Sequence, residues 1–154
     1  MDCLLRINMG SPGGPAVSRN GMDDYAGLGG RGLTSALIAR EVPTLCHPLG
    51  PENKLVIAPG LLSGTSAAMS GRLSIGCKSP LTGTIKESNA EGQPAQVLAR
   101  LGYGAVVLEG VPAGDDLYKI VIDRDGARIE MDNALKGLPN YDLIEKMKAR
   151  YGDG

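Results

Sequence analysis

The sequence has no phenylalanine and no tryptophan, and its aromatic content is five tyrosines in 154 residues. Without those two large side chains, a core has to be filled by Ile, Leu, Val, Met and Ala. Histidine is nearly absent: His47 is single and is followed by Pro48, which places it in a surface loop. A histidine-based nucleophilic triad also needs an activated Ser or Cys, and there is no Gly-x-Ser-x-Gly elbow and no P-loop pattern. Cys3, Cys46 and Cys77 are far apart and form no Cys-x-x-Cys pair, so the usual signatures of a zinc or iron–sulfur site are missing. Three reduced, partly or wholly buried thiols are expected. Charge of one sign is lacking as well: 16 Lys and Arg stand against 17 Asp and Glu, with no basic block and therefore no footprint for nucleic acid. No apolar run approaches the ~20 residues that cross a bilayer. The start, MDCLLRINMGSPGG, lacks the basic and apolar regions of a signal peptide, so no membrane partner and a cytoplasmic location are expected.

What is present in quantity is glycine, 23 residues, which implies tight turns and close backbone approaches. The length suits about one domain with a normal core. Cys3–Asn8 alternates apolar and polar residues and reads as a strand, ended by Gly10-Ser11-Pro12-Gly13-Gly14, with a second short strand over Pro15–Arg19. Leu33, Ala36, Leu37 and Ile38 recur at helical spacing, and Pro43 stops that helix near Glu41. Gly27-x-Gly29-x-x-Gly32 matches the dinucleotide-binding pattern, but Asn20–Ala26 before it is polar and turn-like. That fingerprint needs a buried strand to bend into a helix, so the match is assigned to chance.

Leu55–Ala58 and Leu73–Cys77 read as buried strands. Gln93–Leu101 reads as a helix with Pro94 in its first turn and an apolar face of Val97, Leu98 and Leu101; Gly102 stops it before a buried strand at Ala105–Leu108. Leu117–Asp123 and Ala127–Met131 flank Asp125-Gly126, the strongest hairpin signal in the chain. A last helix over Asp142–Arg150 has acidic residues early and basic ones late, as the helix dipole favours, and Gly152-Asp153-Gly154 follows it. Asp23-Asp24 and Asp115-Asp116 sit in polar loops as solvated turn residues.

The chemistry concentrates in Glu52–Gly92. Two apolar runs there are each followed by loops rich in Gly, Ser, Thr and Pro, with a lone Arg72 and a Ser88–Gly92 turn nearby. Small-residue loops with an isolated cation expose backbone N–H groups to a phosphate-bearing ligand. Residue chemistry alone favours the plainer view, a solvated arginine and an ordinary turn.

A set of ordered motifs reverses that preference. LGGRGL (28–33), PENKL (51–55), SGT (63–65), SGR (70–72), KSPLTG (78–83) and GYGAVVLEG (102–110) resemble, in order and spacing, the N-terminal domain of the tungsten-containing aldehyde:ferredoxin oxidoreductases. The resemblance runs from Leu4 to about Arg150. It implies an α+β fold, mostly antiparallel β-sheets with a few short helices, and residues 1–154 as a single domain resembling a truncated N-terminal pterin-cofactor-binding domain. It implies a bis-pterin cofactor of tungsten or molybdenum, held by dithiolene sulfurs, with magnesium bridging the pterin phosphates. By motif, Arg72 matches the arginine that contacts the pterin, Asn89 the residue whose backbone carbonyl binds magnesium, and Ala90, Glu91 and Gly92 the adjoining pterin-contacting turn. The activity implied is oxidation of an aldehyde to a carboxylate, with electrons passed through a 4Fe-4S cluster to ferredoxin.

Departures accompany the match. The family's cluster cysteines, its acid/base residues and the segment supplying further pterin contacts have no counterpart in these residues. The isolated chain is therefore expected to be inactive; a cluster-bearing subunit is one expected partner, and a homodimer or partner complex is one way to cover the apolar surface that the shortened domain exposes. Glu91 stands where the family usually has Gly, and Gln93-Pro94-Ala95 replaces an aromatic-Gly run. A carboxylate facing pterin phosphates is repelled unless magnesium or an arginine offsets it. Two other readings follow: a non-catalytic binding or assembly module that kept the fold and lost the cofactor, and a reductase of aromatic thioesters in the same superfamily.

Overall fold

The structure is a computed structural model that describes residues 1–152; Asp153 and Gly154 lie outside the described residues. It is α+β, and its centre is a six-stranded sheet. In chain order the strands are β1 (Cys3–Asn8), β2 (Ala16–Gly21), β3 (Lys54–Pro59), β4 (Arg72–Lys78), β5 (Ile85–Glu91) and β6 (Tyr103–Glu109). They lie side by side as β2-β1-β6-β3-β4-β5. All neighbours pair antiparallel except β1 and β6. Among the described residues there are also three α-helices, α1 (Gly30–Glu41), α2 (Gln93–Arg100) and α3 (Asn140–Tyr151), and a separate hairpin of β7 (Tyr118–Asp123) and β8 (Gly126–Met131).

Alternation along the central strands gives the sheet two apolar faces, each covered by different elements. Leu4, Val56, Ala58, Ala105 and Val107 face α1, which buries Leu33, Leu37 and Ile38 against them. Leu5, Ile7, Leu73 and Val106 face the other way, where Ala95 and Leu98 of α2 pack beside Ile120, Ile122 and Ile129 of the hairpin. The Asp125-Gly126 turn closes that hairpin at φ +145° for Gly126, a conformation open to glycine without strain. The core does use aromatic side chains, contrary to expectation. Tyr103 is fully buried and Tyr25 nearly so. Each is admitted because its hydroxyl donates a hydrogen bond, Tyr103 to the Asp123 carbonyl at 2.7 Å and Tyr25 to Glu41 at 2.8 Å.

Two other expectations, the Ser88–Gly92 turn and the apolar face of α2, need correcting. Ser88–Glu91 is not a turn but the end of β5, with Gly92 beyond it. An exposed edge strand of mostly polar residues carries no apolar alternation, so periodicity could not reveal it. On α2 the buried residues are Ala95, Leu98 and Ala99, while Val97 is half-exposed. The Gly27–Gly32 pattern follows the exposed antiparallel strand β2 and a 3-10 turn at Asp23–Tyr25, not a buried parallel strand. Its glycine at 29 has a packing reason instead: a Cβ there would lie 2.8 Å from the Leu61 backbone nitrogen. Cys46 is buried and Cys3 and Cys77 partly buried, all three as free thiols.

Candidate functional site

The two loops singled out in the sequence come together at one end of the sheet. β3 ends at Pro59, and the loop 60–71 returns the chain to Arg72 at the start of β4. β5 pairs with β4 so that Glu91 lies opposite Arg72, and Gly92 turns the chain at φ +111° directly into α2. Between the loop, the strand ends and α2 lies an open cleft of about 1080 Å³. That is large enough for a cofactor-sized ligand.

The cleft has three kinds of wall. Leu61, Leu62 and Met69 present apolar surface from the loop, all more than half exposed. Gly71 and Gly92 bring bare backbone to the cleft; a Cβ on Gly71 would lie 3.0 Å from the Gly92 carbonyl oxygen. From α2, Gln93, Gln96 and Arg100 face inward at i, i+3 and i+7, the spacing of one helical face. The N-terminus of α2 has no side-chain cap and opens beside Gly92, so its free N–H groups favour negative charge there.

Gln96 ties the loop to the helix. Its Oε1 accepts from the Gly64 N–H at 2.5 Å and its Nε2 donates to Ser70 Oγ at 3.1 Å. Inside the loop, buried Ser63 donates from its hydroxyl to the Ser70 carbonyl at 2.6 Å and Thr65 donates to the Leu62 carbonyl at 2.6 Å. The loop is thus a hydrogen-bonded unit, and at its tip Met69 adopts a left-handed φ of +56° with its side chain in solvent.

Of the residues named from the sequence, Arg72, Glu91 and Gly92 line this cleft. Asn89 and Ala90 are outside its lining. Asn89 Oδ1 accepts from the buried Ser74 hydroxyl at 3.1 Å, and its amide donates to Glu87 at 3.3 Å. Its backbone lies in β5, whose outer side has no neighbouring strand among the described residues. Arg72 is not a lone cation: its Nη2 donates to Glu91 Oε1 at 2.5 Å, with both side chains well exposed. An arginine therefore offsets the one out-of-pattern carboxylate. Gln93, Gln96 and Arg100 were not identified from the sequence, although their i, i+3, i+7 spacing on the polar side of α2 was a usable signal. His47 sits exposed in its loop, where its Nδ1 accepts from the Leu49 N–H at 3.2 Å. Among the described residues, no three His, Cys, Asp or Glu side chains are grouped to hold a metal ion.

The strongest electrostatic perturbation lies elsewhere, at the opposite end of α1. Glu41 accepts from both terminal nitrogens of Arg6 (2.8 and 2.6 Å), from Lys54 at 2.8 Å and from Tyr25 at 2.8 Å. Burial pushes its carboxyl up, but the hydrogen bonds from Arg6, Lys54 and Tyr25 outweigh it and hold the group at about 2. Glu109 completes the set by pairing Lys54 at 2.7 Å and Arg6 at 3.3 Å. Two cations and two carboxylates balance, which makes this a structural cross-link between α1 and three strands, not a reactive group.

Comparison with known proteins shows the family and the fold. Residues 4–154 match the family model described as aldehyde ferredoxin oxidoreductase, N-terminal domain. The tungsten-containing aldehyde ferredoxin oxidoreductase of Pyrococcus horikoshii is 36% identical over 152 residues, which is 97% of this chain and 24% of that protein. The protein of the same description from Thermococcus kodakarensis is 43% identical over 108 residues, 70% of this chain and 18% of that protein. Among solved structures, the active site complex BamBC of benzoyl coenzyme A reductase, in complex with 1,5-dienoyl-CoA, superposes with a TM-score of 0.87 at 28% identity. The match covers 97% of this chain and 22% of that one. The chain thus spans less than a quarter of the length of each of these proteins.

Proposed function

Because the chain belongs to the aldehyde ferredoxin oxidoreductase family through its N-terminal domain, we propose that it forms the pterin-binding portion of an aldehyde:ferredoxin oxidoreductase-like enzyme. In that reading residues 1–154 are one cofactor-binding domain, and the enzyme oxidises aldehydes to carboxylates and passes electrons to ferredoxin. The 4Fe-4S cluster and the acid/base residues belong to other domains or to a partner subunit. The relatives' description as tungsten-containing supports a tungsten- or molybdenum-pterin.

The observation that carries the reading is the cleft at Arg72, Glu91 and Gly92, where family motifs and geometry meet. The residues present fit a pterin. The guanidinium groups of Arg72 and Arg100 offer planar forks of donors to phosphate. Leu61, Leu62 and Met69 suit the face of a flat ring, and the approach of Gly71 to Gly92 leaves backbone where a Cβ would intrude. The Asn89 carbonyl is the proposed magnesium ligand, a hard oxygen donor on an edge strand. When bound, the cofactor supplies two-electron redox chemistry at its metal. The work of this chain is to hold its phosphate end, exclude water from one ring face and fix its orientation. Cytoplasmic residence goes with this reading; no helix among the described residues is long and apolar enough to cross a membrane.

The likeness to BamBC favours a second reading, a reductase of aromatic thioesters, in which this chain plays the same cofactor-holding part. The higher identity to the aldehyde oxidoreductases favours the first. Native anaerobic purification tests both: pterin and tungsten or molybdenum should copurify with the chain, and activity assays on an aldehyde and on an aromatic thioester then separate them. A chain that never copurifies with metal, pterin or a cluster-bearing subunit contradicts the proposal.

A further inference from the structure

The cleft contains two guanidinium groups that are not electrostatically equal. Arg72 is held by Glu91 at 2.5 Å, so an approaching anion meets a cation and a carboxylate together, and attraction and repulsion largely cancel. Arg100 stands on the same cleft with no hydrogen bond or ion pair to any described residue. Among the described residues Glu91 is the only carboxylate in the lining, so the net positive charge of the cleft is the charge of Arg100.

Its backbone is also well fixed. Arg100 closes α2, one turn beyond Gln96, which is anchored to Gly64 and Ser70. The loop packs so closely that a Cβ on Gly64 would lie 2.9 Å from Ala99 Cβ and 3.3 Å from the Arg100 nitrogen. The side chain is therefore presented from a rigid base, which lowers the entropy lost on binding.

We infer that Arg100 takes the anionic end of the cleft's ligand, a phosphate or phosphoester group, and that Arg72 contributes less while Glu91 holds it. The identity of that ligand as a pterin rests on the function proposed above; the assignment of the anion to Arg100 rests on the charge balance of the cleft.

The test is calorimetric titration of the purified chain with inorganic pyrophosphate. Arg100→Gln should weaken binding by about tenfold or more, as loss of a bidentate phosphate contact does. Arg72→Gln should weaken it by less than about threefold, in line with the small net effect of an exposed pair. Glu91→Gln should tighten binding by releasing Arg72. Arg100→Lys should fall between wild type and Arg100→Gln, because it keeps the charge and loses the fork. The inference is overturned if wild type does not bind pyrophosphate, if Arg100→Gln binds as wild type does, or if Arg72→Gln causes the larger loss. Pterin content of the native protein is read separately. Pterin present with an indifferent Arg100 removes this inference and spares the proposed function; pterin absent with Arg100-dependent pyrophosphate binding does the reverse.

Discussion

Glu41 shows how much of this fold depends on one side chain. It ends α1 and accepts hydrogen bonds from residues 35, 13 and 16 positions away, so a single carboxylate joins α1 to β1, β3 and the turn carrying Tyr25. Nothing in the local sequence around Glu41 reveals this, because every partner is brought by the tertiary fold. Removing its charge leaves Arg6 and Lys54 with Glu109 alone, in a largely buried place. Glu41→Gln should therefore destabilise the chain by about 2–4 kcal/mol, measured by chemical denaturation at neutral pH. The pH dependence has a definite sign. The folded carboxyl is held at about 2, below its ordinary value of 4.5. Its contribution is thus complete above about 4.5 and is lost as pH falls towards about 2. In Glu41→Gln that part of the acid destabilisation should be missing.

Among the elements, α1 and β4 are matched at a single glycine. A Cβ on Gly76 would lie 2.7 Å from Thr34 Cβ, and Thr34 is fully buried. Gly76→Ala should push α1 from the sheet and cost about 1–3 kcal/mol, readable as a lowered midpoint of thermal unfolding. α2 makes a different kind of contact. Gln96→Ala removes both bonds from helix to loop, and should raise the hydrogen exchange of the Gly64 amide and the protease sensitivity of loop 60–71 while leaving the sheet amides protected. Equal loosening throughout the chain is the result that contradicts that local role.

The elements that apolar patterning identified carry a buried stripe: β1, β3, β4, α1, α2, β6 and the hairpin, whose Ile120 and Ile129 pair across the ladder and pack on the core. The element it missed, β5, is exposed along almost its whole length and is defined by hydrogen bonds to β4, which leave no pattern in side-chain polarity. The same blindness hid the partner of Arg72. Glu91 is 19 residues away in sequence and directly opposite across the ladder.

For the molecule as a whole, both edges of the main sheet, β2 and β5, are exposed along their length, and α3 buries no residue. Open edges of this kind are pairing surfaces in larger assemblies, and the relatives this chain matches are proteins at least four times as long in aligned share. The family was legible in the sequence because six short motifs kept their order across the chain. The cleft was legible only in part: Arg72, Glu91 and Gly92 were named, whereas the α2 face was hidden by reading that helix for its apolar residues alone.

In the function proposed above, the cleft between loop 60–71 and α2 holds a pterin by its phosphate end. The most direct measurement is the pterin content of the natively purified protein, released by acid and quantified by fluorescence, in wild type and in an Arg72→Ala/Arg100→Ala double variant. Both arginines are exposed and outside the core, so the cofactor-free double variant should keep the unfolding midpoint of cofactor-free wild type. Wild type should carry pterin near one equivalent of cofactor, and the double variant should lose it by about tenfold or more, the effect expected when two charge-assisted phosphate contacts are removed. Wild-type protein without pterin, or a double variant that retains it in full, would show that this cleft is not where the pterin is held.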